Sequence, residues 1–417
     1  MNGVIPAGLA GSDHIPRLCD YDVSGKYGFM VDDPLTDLPP YFSPWMKIAN
    51  NLQSLVKNDR LREAVHQMPL LDYTRLEGVK EWRLAHVVLS FISSGYVWVK
   101  GEEHIPKVLP RNLAIPYAGI SDYLGMTPSF THSSSVLANW KLIDPSKPAE
   151  LDNMDTIIKV AGGWDESWFF MVAGAVEIDC AEGLKAILNA QQAVAGCQVE
   201  RLKKSLREME TSLQKMKRTL ARMHERCDPD AFYNGFRPFL AGWDGAAFRN
   251  KGYNGLIYEG VNDEPMQYVG GSAAQSTSVP AFDAALSVEH TPEEDKLRAH
   301  FREYMPPAHR AFVDAITNGP SIRTFVQNFE DDVLEEAYNQ CLDALKQFRT
   351  QHIQIVTRYI VIMANRKDSN KKFANQGKAG TGGTGFMKFL KNLRDATTET
   401  TLTTPTQTSE DDDKEDD

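Results

Sequence analysis

The strongest constraint on this chain is a stretch from Glu182 to Cys227. There leucine, methionine and alanine recur at helical spacing among lysines, arginines and glutamates (VERLKKSLREMETSLQKMKRTLARMHERC). Apolar residues that return every three or four positions draw one stripe along an α-helix and leave the opposite face to water. The segment therefore reads as an amphipathic helix or helical hairpin packed on the body of the protein, not as a free coiled coil. Further helices are predicted over Thr291–Tyr304, Ala308–Asn318 and Glu335–Ala364, with a Gly/Ser-rich loop, Gly270–Ser278, between helical regions. From Asn365 to Gly385 the chain turns polar and glycine-rich, which predicts a mobile loop before a last short helix, Phe386–Arg394.

The first ~150 residues carry a different pattern. Proline-rich stretches (DDPLTDLPPYFSPW, VLPRNLAIPYAG) interrupt helical runs such as Trp45–His66 and Glu81–Phe91, giving short helices, turns and a few strands. The expected fold is mainly α, with a small mixed α/β N-terminal domain (1–155) packed on a large all-α domain (156–398). The 417 residues suit two or three domains. A disordered tail is expected over 399–417, because Ser409–Asp417 alone supplies −6 of the net charge of −11. The body is thus only mildly acidic, without the clustered basic face that a nucleic-acid partner needs. No apolar run approaches the ~20 residues of a membrane span, and the N-terminus lacks the basic-then-apolar pattern of a signal peptide. Cys19, Cys180, Cys197, Cys227 and Cys341 form an odd, scattered set without a CxxC pair, which fits reduced thiols in the cytoplasm.

Of the ten histidines, His352 stands out. Apolar residues at 342, 345, 348, 355, 356, 359, 360 and 363 form a stripe, and His352 falls on it, one turn after Phe348 and one before Val356. It should point into the core, as a hydrogen-bonded core residue or as a ligand, since one neutral imidazole can anchor a haem. Arg349, one turn earlier, suits either a haem propionate or a structural ion pair. His309 in PPAHR and His132 in a Ser-rich loop have no second ligand at helical or hairpin spacing. Neither HExxH nor a two-histidine-one-carboxylate spacing occurs. Gly380–Gly385 formally matches GxGxxG. However, the preceding NRKDSNKKFANQGKA cannot be a buried strand, so a loop that closes on a ligand is the better reading than a nucleotide site.

The segment FRTQHIQIVTRYIVI around His352 resembles the haem-ligand helix of the indoleamine 2,3-dioxygenase family. So do GYVW (95–98), KVLPRN (107–112), SVLANW (135–140), FRPFLAGW (236–243), LIYEG (256–260), GGSAAQS (270–276), EYMPPAHR (303–310) and GTGGT (380–384). These segments run in family order from about residue 20 to residue 394. The resemblance implies a large helical domain enclosing a haem b, ferrous in the active state, with His352 as the protein ligand to the iron. It implies that Arg349 holds a propionate and that Asp283 lies on the same, proximal side. Ser272 and Ala273 would line the pocket beside the haem. Arg237 would pair with the substrate carboxylate, Phe232 and Phe169 would pack on the indole, and Thr381 would help bind the ammonium group.

The reaction so implied inserts both atoms of O2 into the pyrrole double bond of L-tryptophan or a related indoleamine, giving N-formylkynurenine, the first step of the kynurenine pathway. No general base is expected, since Phe169–Val176 contains no acid or base. An electron donor that keeps the iron ferrous and a monomeric protein are also implied. Some positions depart from the vertebrate pattern. Ala173 stands where those enzymes have a distal serine, His132 where they have tyrosine, Ser135 where they have cysteine, and Tyr233 where a second phenylalanine is usual. The alternative on the same scaffold is an oxygen-binding, myoglobin-like haem protein.

Overall fold

The computed structural model describes residues 15–366 and 386–402. Its centre is an antiparallel hairpin of two long helices, Gly163–Ala195 and Val199–Ala221. The first begins at the carboxylate of Glu166, which accepts from the backbone N–H groups of Val160 (2.7 Å), Ala161 (2.9 Å) and Gly162 (2.6 Å) and so satisfies donors next to a helix start. The chain reverses at Gly196–Gln198, where Cys197 takes a φ of 51°. The second arm buries Leu202, Leu206, Met209, Leu213, Met216 and Leu220. Their alternating spacing of four and three keeps one seam facing its neighbours, the first arm and the helix Asp332–Val356.

The hairpin alternative is the one observed, but its first arm starts far upstream of Glu182. Gly163–Ala195 is buried nearly all round, so no polar face marks where it begins. The run Trp45–His66 is split into Ser43–Asn50, Leu52–Lys57 and Leu61–Gln67, with Asp59 left-handed (φ 56°) before the third piece. The Glu81–Phe91 run is part of a longer buried helix, Gly78–Trp98. Thr291 caps Pro292–Arg302 through a reciprocal pair of bonds with Glu294. Asp331 caps Asp332–Val356, which continues through a wide turn at Thr357–Val361 into Ile362–Ala364.

Strands are short. Val108–Leu109 pairs in parallel with Ile257–Tyr258, and Lys141–Leu142 pairs antiparallel with Met154–Asp155. One contiguous apolar core runs from Tyr21 to Ala396, crossing the boundary expected at residue 155. The closing helix extends over Phe386–Glu399, five residues past the expected end. Residues 399–402, expected to open the tail, are docked instead: the Arg323 guanidinium donates to Thr400 O, and Asn339 exchanges bonds with Leu402 (2.9 and 3.0 Å). Residues 403–417 and the segment 367–385 lie outside the described residues. Among the described residues no helix is long and apolar enough to cross a membrane, and none of the five cysteines forms a disulfide.

The hairpin tolerates no side chain at Gly183, where an added Cβ would lie 2.5 Å from Phe282 Cζ and 2.6 Å from Ser212 Oγ. Gly183→Ala should therefore lower stability by roughly 1–3 kcal/mol through overpacking, read as a lower urea midpoint. Gly235→Ala, whose Cβ would meet nothing within 4 Å, is the control. Equal midpoints for the two variants would refute this packing.

Candidate haem and substrate site

The histidine helix Asp332–Val356 presents Phe348, His352 and Val356 on one face, at spacings of four, as the stripe predicts. That face borders a cavity of about 570 Å3, within the usual ~300–1,000 Å3 of a small-molecule or cofactor site. His352 is half-buried and faces the cavity, and among the described residues it makes no hydrogen bond. Burial pushes its imidazole down to about 4, so it is neutral at pH 7, the form in which a ring nitrogen can donate to a metal. The alternative of a core histidine satisfied by its neighbours has no support in this geometry.

One turn earlier, Arg349 is buried and clamps Asp283 with Nη2 at 2.8 and 2.7 Å from the two carboxylate oxygens, while Nη1 donates to Thr397 Oγ1. Arg298 Nη2 and His290 Nε2 approach the same carboxylate at 3.3 and 3.4 Å. Burial alone would raise the Asp283 carboxyl. Arg349, with His290 and Arg298, outweighs it and holds the group far below the ordinary carboxylate range. The residue expected to hold a propionate is thus also half of a buried ion pair. A guanidinium has five N–H donors, more than the contacts to Asp283 and Thr397 use.

The other walls come from four places. The first hairpin arm supplies Phe169 and Ala173, one turn apart. A wide turn, Ala231–Phe236, and a tight one, Arg237–Leu240, present Phe232 and Arg237 in succession, with Pro238 preventing a regular helix. Phe169 and Phe232 pack with ring centroids 4.9 Å apart, and Tyr359 meets Phe232 edge-on at 5.7 Å. Arg237 is only 3% exposed and lies 5.2 Å from the Tyr233 ring. Burial pushes its guanidinium down to about 10, so it remains a cation at neutral pH.

The predicted loop supplies Gly271–Ala274 and Ser276. It is held close to the backbone at 240–242: a Cβ on Gly270 would sit 2.0 Å from Leu240 O, so only glycine fits there. Ser272 caps a short turn over Ala273–Gln275. The closing helix adds Phe386, Phe389, Leu390 and Leu393.

Nine of the ten expected site residues therefore border one cavity: His352, Arg349, Asp283, Ser272, Ala273, Phe169, Ala173, Phe232 and Arg237. The tenth, Thr381, lies outside the described residues, as does the glycine motif around it. His309 and His132 are buried elsewhere, His309 with Nε2 3.2 Å from Asp22 O. Sequence reasoning did not single out Arg298, Tyr359 or the stripe Phe386–Leu393 for this site. The last was visible as apolar residues at i, i+3, i+4 and i+7, but nothing in the sequence says which surface such a stripe covers.

A lone imidazole facing an apolar cavity, with arginines at its edge, suits a planar iron macrocycle, which brings its own four equatorial donors and needs one from protein. Comparison with known proteins points the same way. The family model described as indoleamine 2,3-dioxygenase matches residues 17–400. The chain is 43% identical over 352 residues to human indoleamine 2,3-dioxygenase 2, covering 84% of this chain and 86% of that one. It is 38% identical over 372 residues to rat indoleamine 2,3-dioxygenase 1, covering 87% and 91%. It is also 37% identical over 360 residues to a myoglobin of Haliotis madaka, covering 86% and 92%. With the match running almost from end to end, the chain belongs to the indoleamine 2,3-dioxygenase family.

Proposed function

We propose that this protein is a haem-dependent dioxygenase that opens the indole ring of L-tryptophan or a related indoleamine, adding both atoms of O2 across the pyrrole double bond to give N-formylkynurenine. The observation that carries this reading is His352, neutral and without a hydrogen-bond partner among the described residues, on an apolar cavity that also holds a buried cation, Arg237. When bound, a ferrous haem b supplies the oxygen chemistry, and an external electron donor keeps it ferrous. His352 would be its axial ligand. Arg349, held by Asp283 and Thr397, would turn N–H groups not used in those contacts to a propionate, and Ser272 and Ala273 would line its edge.

The chain's own contribution is orientation and dryness. Arg237 is the donor of choice for a carboxylate, because its planar fork can bind both oxygens and because a buried cation gains much from a counter-charge. Phe232 and Phe169 form an aromatic wall for the indole. Thr381 would receive the ammonium group. Ala173 offers no hydroxyl, so no proton donor stands at that point of the wall. Water excluded by these apolar surfaces cannot compete for the oxidant. The proposal is of a monomer acting in the cytoplasm, a compartment that the five free cysteines fit.

A second reading, reversible oxygen binding, is favoured by the likeness to the Haliotis myoglobin and by Ala173 and His132 at positions where vertebrate enzymes differ. Ferrous protein given O2 and L-tryptophan should form N-formylkynurenine catalytically; a stable oxygenated spectrum with no product would select the oxygen carrier.

His352→Ala should fail to retain haem, seen as loss of the Soret band at an unchanged far-ultraviolet dichroism spectrum; a full Soret band would refute the ligand assignment. Arg237→Ala should raise KM for tryptophan roughly tenfold to a hundredfold, the loss expected for one charge-assisted hydrogen-bonded contact. An unchanged KM would remove Arg237 from the substrate site.

A further inference from the structure

A second buried charge has no role in the reading above. Glu177 lies one turn past Ala173 and two past Phe169 on the same face of the Gly163–Ala195 helix, and is 2% exposed. Burial alone would raise its carboxyl, but hydrogen bonds from His132 Nε2 (2.8 Å), Ser276 Oγ (2.6 Å) and Ser278 Oγ outweigh this and hold it below the ordinary range. An ionised carboxylate only accepts, so all three partners donate, and the His132 ring carries its proton on Nε2.

His132 also acts through its backbone. Its N–H donates to Gln275 Oε1 (2.9 Å), and the Gln275 amide donates to Gly270 O (2.9 Å). The segment 270–277 has no regular structure beyond the turn Ala273–Gln275, yet it provides one wall of the cavity and runs into the next helix at Ser278. Besides the Gly271 N–H bond to Leu240 O (2.9 Å), its side-chain attachments run to two residues, His132 and Glu177, 45 positions apart in the chain. A buried polar cluster around a carboxylate is poor value as a source of stability, because apolar residues of equal volume serve as well; its better-attested use is to fix register.

We infer that the His132–Glu177 pair is a positioning latch that registers the 270–278 wall against the Gly163–Ala195 helix and thereby sets how tightly the site holds its cofactor and substrate. The inference rests on the proposed use of the cavity, but the latch itself is a property of the chain alone. The loop residues Ser272, Ala273 and Ser276 border the cavity, whereas Glu177 and His132 do not. Both therefore act through the wall and not on the reacting atoms.

The test compares Glu177→Gln, Glu177→Ala, His132→Phe and His132→Gln in the full chain. Hydrogen–deuterium exchange without added haem should quicken in peptides covering 270–278 by roughly tenfold in Glu177→Ala and His132→Phe, the scale of one lost charge-assisted bond, with the Val199–Ala221 helix unaffected. Glu177→Gln, which keeps the shape and loses the charge, carries the test should the alanine variant not fold. His132→Gln retains a donor and should recover most of the protection. In haem-loaded protein the same variants should release haem faster and show a raised KM for tryptophan, with kcat changed far less. Exchange in 270–278 that stays as in the parent, or that rises no more than in Val199–Ala221, overturns the latch. If the parent takes up no haem while the exchange changes appear, the proposed function falls and the latch stands.

Discussion

The arrangement of the site depends on one ion pair. Asp283 and Arg349 are 66 residues apart and belong to different helices, yet neither can be left alone: an uncompensated buried charge costs about 3–5 kcal/mol. Their two-point contact fixes the rotation of the histidine helix about its own axis. Since His352 is three residues beyond Arg349, that rotation decides where the imidazole faces. Thr397 on the closing helix donates nothing to the pair's charge balance, but by accepting from Arg349 it ties a third element to the same point. The pair thus connects the Ser278–Ala285 helix, the histidine helix and the closing helix around the cavity.

The cavity wall formed by residues 270–278 needs separate support, since it has almost no structure of its own. It is bounded on one side by a glycine contact so close that no side chain fits, and on the other by polar side chains donating into a buried carboxylate. Both devices fix distance more than they add stability. Together with the ion pair they give a rigid frame in a region lined otherwise by interchangeable aromatic and aliphatic groups, which pack well but specify orientation weakly.

Much of this was legible in the sequence where periodicity speaks directly. The Leu/Met seam of Val199–Ala221 and the stripe that carries His352 follow from local rules, and the structure has them. The start of the first hairpin arm was not legible, because a helix buried on all sides has no polar face to mark its extent. The turns at Ala231–Phe236 and Arg237–Leu240 were equally hidden, since wide and tight turns share the residues of ordinary helices. Site membership was legible only through resemblance: alone, Phe169 and Phe232 read as core aromatics and Arg237 as a surface cation. Pairings across the fold, such as Asp283 with Arg349 or His132 with Glu177, leave no local trace at all. An acid at Glu177 within an otherwise apolar face was the one visible hint of the latter.

The closing helix bears on how the protein is made. Phe386, Phe389, Leu390 and Leu393 cover a cavity whose other walls begin at Phe169, and the pieces after the helix fasten to Arg323 and Asn339. During translation the hairpin and the histidine helix emerge first, so the nascent chain holds an open apolar trough until the closing helix leaves the ribosome. Closure of the cavity is thereby tied to synthesis of this helix, and a product truncated before it would expose the same trough to chaperones and proteases.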